Sequence, residues 1–158
     1  MKRALAGLVL LCFALLACTP RQTTAAISTA ESALIDFIQA LSDGNYERAA
    51  QLYGGSYEQL RAMNPQNDPD DLAGLWQAGC EVNGLVCLPV GRVIERTKVS
   101  EEEMQFIVEF RENDGQVFSL GPCCGAEENA AAPRSAFEFH VLNQNGFPLI
   151  MDMPALIP

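Results

Sequence analysis

Met104-Gln105-Phe106-Ile107-Val108-Glu109-Phe110-Arg111 is the stretch on which the fold turns. Met104, Phe106, Val108 and Phe110 alternate with Gln105, Glu109 and Arg111, and a period of two puts the four apolar side chains on one face of a strand. The period continues on both sides. Val93 to Val99 reads as a preceding strand, and Glu112-Asn113-Asp114-Gly115 as a hairpin loop into a strand from Gln116 to Leu120. A Gly/Pro/Cys/Ala-rich interruption follows. Phe137, Phe139 and Val141 then define a further strand, which Asn145-Gly146 turns into a last one, Phe147 to Met151.

Upstream of Val90 the spacing is helical. Ser28 and Glu31 form a capping-box signature, followed by Leu34, Phe37, Ile38 and Leu41 on one helical face. Asp43-Gly44 stops this helix. Asn45 caps a second, Tyr46 to Tyr53, which Gly54-Gly55 ends. Residues 56–67 predict a short turn of helix around Tyr57, Leu60 and Met63, and Asp68-Pro69 opens a helix to Gly79 carrying Leu72, Leu75 and Trp76. Helices first and antiparallel strands after them predict an α+β domain, helices packed on a curved sheet of about four to five strands. Phe37, Leu41, Leu52, Trp76, Phe106, Phe110, Phe137 and Phe139 are the expected shared core.

The N-terminus has a different grammar. Lys2 and Arg3 precede an apolar run from Ala4 to Leu16 that is too short for a spanning helix, which needs about 20 residues. The run closes on Leu15-Leu16-Ala17-Cys18, which resembles the lipobox of bacterial lipoproteins. The resemblance implies that the Cys18 thiol takes a diacylglyceryl group, that residues 1–17 leave as a signal peptide, and that the new amine is acylated. Residues 18–27 then read as a tether and residues 28–158 as one extracytoplasmic α+β domain. Thr19, where aspartate would favour inner-membrane retention, implies the outer membrane if one exists. Cys12 lies inside the apolar run and leaves with it.

Cleavage removes two basic residues from a chain of formal charge −10, and leaves about 140 residues, the size of one domain. So acidic a domain repels phosphate backbones and carries no basic stripe, which excludes nucleic acid and disfavours adsorption to anionic lipid.

A second resemblance lies in the run from Ala33 to Tyr53. Its first helix, Gly44-Asn45-Tyr46 turn and alanine-rich second helix resemble the opening of nuclear transport factor 2-like (cystatin-like cone) domains. That resemblance covers about residues 28–153 and implies a conical pocket over a bent antiparallel sheet. The fold hosts isomerases, dehydratases and non-catalytic domains, so it implies no particular activity.

The remaining chemistry is sparse. Cys80, Cys87, Cys123 and Cys124 form an even set outside the cytoplasm and read as structural disulfides. Zinc needs other spacings, and no Cys-x-x-Cys is present. A Cys123–Cys124 bridge closes across one peptide unit, so the two crossed pairings, each joining Cys80 and Cys87 to one member of that pair, rank higher. His140, the only histidine, falls on the face opposite Phe139 and Val141 and reads as a surface or rim residue. An isomerase-like site would draw on Asp36, Glu138, His140, Tyr46, Tyr53 and Tyr57, but no spacing singles out a pair. Asn67-Asp68-Pro69-Asp70-Asp71 offers hard oxygen ligands without the glycine turn and distal glutamate of a calcium loop, and helix capping explains it. The expectation is a membrane-anchored lipoprotein with a non-catalytic binding or scaffolding domain. It needs no cofactor or metal, and its partner is an envelope protein or small ligand. The alternative is a small pocket enzyme of isomerase or lyase type.

Overall fold

The computed structural model describes residues 21–121 and 133–157. Cys18, Cys123 and Cys124, with the expected signal peptide, lie outside them. Four helices precede four strands: α1 (Arg21–Ser42), α2 (Tyr46–Leu52), α3 (Glu58–Met63), α4 (Leu72–Glu81), β1 (Val90–Lys98), β2 (Glu103–Phe110), β3 (Phe137–Gln144) and β4 (Phe147–Ile150). The strands form one open antiparallel sheet in the order β1-β2-β3-β4. The α+β class expected from the two periodicities holds. Among the described residues no helix is long and apolar enough to cross a membrane.

The period-two stretch sets the register. Met104 pairs with Val141, Phe106 with Phe139 and Val108 with Phe137, so apolar residues oppose one another on a single face. That face is the core side, where Phe106, Val108 and Phe110 have no exposed surface. Helix α1 lies against all four strands and α2 bridges α1, α4 and β4. Over the sheet, Trp76 meets Phe37, Tyr53 and Tyr57 with ring centroids 5.0–5.8 Å apart. Its indole N–H donates to the Tyr57 hydroxyl at 3.0 Å, so the ring is buried without an orphaned donor. All eight residues expected in the core are buried in one cluster.

Four local expectations give way to tertiary contacts. Helix α1 begins at Arg21, inside the expected tether, and runs through the Ser28–Glu31 capping box. Ala25 and Ala26 are strong helix formers, and Ile27 and Ala30 pack on the core, so the amphipathic face continues one turn further back. Glu31 is therefore free of capping duty and makes a bidentate pair with Arg96 of β1, at 2.5 and 2.6 Å. Helix α4 starts at Leu72 with Asp71 as its cap, accepting from the Gly74 amide at 2.9 Å, and Pro69 sits in the preceding turn. Residues 116–120 make isolated bridges at Val117 and Leu120 in place of a strand. Between them Phe118 turns inward to stack on Phe137, centroids 5.9 Å apart, which interrupts the ladder.

The fourth correction concerns the cysteines. Cys80 is bonded to Cys87, with Cα atoms 5.6 Å apart, so neither crossed pairing holds. Helix α4 ends in a tight reversal: the Val82 and Asn83 amides both donate to the Ala78 carbonyl, and Leu85 donates to Gly79. Gly84, at φ +79°, supplies the left-handed residue that the reversal needs. The chain thus returns Cys87 beside Cys80 within one short loop. Non-reducing proteolysis and mass spectrometry should recover Cys80 and Cys87 joined, with no peptide linking either to residues 123–124.

The Glu31–Arg96 pair makes a pH-dependent contribution. The guanidinium hydrogen bond holds the Glu31 carboxyl below its ordinary value of 4.5, against an opposing effect of burial. A depressed folded value means the contribution is complete above the unfolded value and is lost as pH falls through the folded one. Solvent reaches both side chains, so it is worth roughly 0.5–1 kcal/mol. Urea titrations should find Glu31→Gln less stable by that amount at pH 7, with the gap from wild type closing in acid.

Candidate functional site

The side chains that α1 turns toward the sheet shrink toward its start. Leu34, Phe37, Ile38 and Leu41 fill the space over the strands, whereas Ala30 and Ala33 leave it open. At that end lies a cleft of about 620 Å³. Its α1 wall is Ala25, Ala26, Ile27, Thr29 and Ala30, and Met104 of β2 and Val141 of β3 lie beneath it. One lip is the end of the β1–β2 hairpin, with Lys98, Glu101 and Glu102; the other is the end of the β3–β4 hairpin, with Asn143, Gly146 and Pro148.

The lips carry the charge and the interior does not. Lys98 pairs with Glu101 at 2.7 Å, and Glu102 has no ion pair among the described residues. The Asn143 amide donates to the Glu102 carbonyl at 2.7 Å and ties the two lips together. Such a cleft is suited to an apolar group with a polar end outside; among its described lining residues the acids are Glu101 and Glu102, both exposed at the lip.

The catalytic parts named from the sequence are scattered. Asp36 pairs with Arg48 on the surface, and Tyr46 donates to Glu81 at 3.2 Å. Tyr53 and Tyr57 are buried in the aromatic core. Burial, with Tyr57 and Asp152 close by, pushes the Tyr53 hydroxyl up to about 12, and it donates to the Ser56 carbonyl. His140 lies on the outer face of the sheet, away from the core, as its register requires. Its Nδ1 is 2.9 Å from Asp152 Oδ2 and its Nε2 is 3.5 Å from Glu138 Oε1. Sequence reasoning missed Asp152, because the expected last strand stopped at Met151; the Met151 amide donates to the His140 carbonyl and sets Asp152, the next residue, beside the ring.

A second, polar cleft of about 550 Å³ runs between the segment that joins α3 to α4 and α4 itself, past Asn64, Asn67, Asp68, Asp71 and Glu81. Its carboxylates are engaged locally: Asp68 accepts from the Asp70 amide at 2.9 Å, and Asp71 caps α4. Among the described residues no group of three or more His, Cys, Asp or Glu side chains is placed to hold a metal ion. The lipidation site at Cys18 and the Cys123-Cys124 pair lie outside the described residues. No family model matches the chain and no curated protein matches it, so the functional reading rests on these residues and their geometry.

Proposed function

We propose that this chain is a lipid-anchored, extracytoplasmic lipoprotein whose single α+β domain, of nuclear transport factor 2-like type, binds a ligand or partner in the cell envelope without catalysing a reaction. The observation that carries the reading is the position of Leu15-Leu16-Ala17-Cys18 just ahead of α1, whose first turns wall the apolar cleft. The Cys80–Cys87 bridge supports an oxidising compartment. A cleft that joins aliphatic side chains, Ile27, Met104 and Val141, to a polar lip with a paired Lys98–Glu101 supports binding over acid–base chemistry. The isomerase alternative would need acids or bases inside the cleft, and the described lining keeps them at the rim.

Acylation at Cys18 would supply two or three chains, beyond the single chain that gives only marginal binding. Labelled palmitate should enter the wild-type protein, and Cys18→Ser should abolish both labelling and stable fractionation with membranes. A wild-type protein that never takes up palmitate would overturn the anchoring.

A further inference from the structure

The end of the molecule that holds the cleft is also the end at which α1 begins. Ala25, in the cleft wall, is seven residues beyond Cys18. Seven residues span about 10 Å as helix and at most roughly 24 Å extended. Both turns at this end present a bare apolar side chain. Val99, next to Lys98 in the β1–β2 turn, is 51% exposed, and Phe147, the first residue of β4 after the β3–β4 turn, is 72% exposed. An aromatic and an aliphatic residue at the tips of adjacent turns suit the boundary between headgroups and acyl chains. Between those tips the cleft opens onto Met104 and Val141.

We propose that this end rests on the bilayer and that the cleft takes an acyl chain of a membrane phospholipid with a zwitterionic, ammonium-bearing headgroup. The aliphatic part of the lining, Ile27, Ala30, Met104 and Val141, matches a hydrocarbon chain, and the polar part, Lys98, Glu101, Glu102 and Asn143, suits a headgroup. The headgroup preference follows from the lips. Among the described lining residues the one cation, Lys98, is already paired with Glu101, whereas an ammonium group finds Glu102. The acidic balance of the whole chain acts in the same direction. The placement at the bilayer rests on the lipoprotein reading; the fit of cleft to chain does not.

The test uses the mature chain from residue 18 with Cys18→Ser, so that binding is measured without the anchor. The probe is phosphatidylethanolamine carrying a pyrene-labelled acyl chain, diluted into phosphatidylcholine vesicles, in which extraction converts excimer to monomer emission. The expected result is a saturable rise in monomer emission, weaker by roughly tenfold or more in Ala26→Phe, which plugs the wall at an exposed position of α1. Phe147→Ser should slow the transfer, and Val82→Phe, on an exposed site remote from the cleft, should not alter it. Labelled phosphatidylglycerol should bind less well, and Glu102→Lys should reverse that preference. No rise with the wild-type cleft, or equal binding by Ala26→Phe, would overturn the proposal. So would lipid-free dimerisation abolished by Ala26→Phe, which would assign the cleft to a second copy. Failure here with palmitate labelling intact would remove the acyl-chain ligand and leave the anchored lipoprotein standing. The converse result would remove the anchor alone.

Discussion

Phe106→Ala is expected to lower the unfolding free energy by about 3–5 kcal/mol, the range for truncating a fully buried phenylalanine. Phe106 lies at the centre of β2, opposite Phe139, with no exposed surface. Its neighbours belong to a sheet held by ladders on both sides, with α1 packed above, so the hole left by the ring cannot be closed by moving one element. The loss therefore combines the transfer term of the missing atoms with a cavity term. Urea titration should show a lower midpoint at nearly unchanged slope. A change within a few tenths of a kcal/mol would mean that this position is not in the core. Ile107, the next residue, faces the outer side and is partly exposed, so Ile107→Ala should cost much less. The contrast between neighbours tests the register as well as the burial.

The second large effect is expected at Gly55. The segment Tyr53–Gly55 runs along the free edge of β4: Tyr53 bridges Ile150 in parallel, and the Gly54 amide donates to the Ile150 carbonyl at 2.8 Å. This covers an edge that would otherwise offer unpaired donors and acceptors. A methyl group at Gly55 would fall on the Met151 carbonyl and the Tyr53 hydroxyl. The first is backbone and cannot swing aside. The second is held by its bond to Ser56. Gly55→Ala is expected to cost roughly 2–3 kcal/mol, the upper part of the overpacking range, because the strand edge or the Tyr53 ring must move. Gly121→Ala, where an added methyl meets nothing, should stay within about 0.5 kcal/mol. Thermal melts of the two variants in parallel would separate a steric cause from the general effect of replacing glycine. Equal melting would show that the β4 edge is not packed as described.

The candidate site was less legible than the fold. The resemblance of Leu15-Leu16-Ala17-Cys18 to a lipobox was readable because it is a contiguous local pattern. The cleft was not, because it is made by what is missing: alanines on α1 stand over Met104 and Val141, two positions that read only as core. A run of small residues at helical spacing does signal spare room, but not which strands lie across it. His140 was correctly placed off the core face by strand alternation, yet its partner Asp152 comes from beyond the last strand and carries no signal of its own.

By itself the sequence determined the order of elements, the change from helical to strand period near Val90, and the shared core around Trp76, Phe106 and Phe139. These follow from periodicities of 3.6 and 2, which a chain expresses locally whatever it later packs against. Tertiary structure alone decided the rest. Glu31 left its expected cap because packing extended α1, and Arg96 of a distant strand then took its carboxylate. Residues 116–120 gave up their ladder because burial of Phe118 against Phe137 outweighed local pairing. Cys80 met Cys87 because the reversal at Gly84 set their separation, a distance that chain-closure entropy, which favours the longer crossed loops, does not encode. Pattern tells which face a residue takes; only the folded chain tells what stands opposite it.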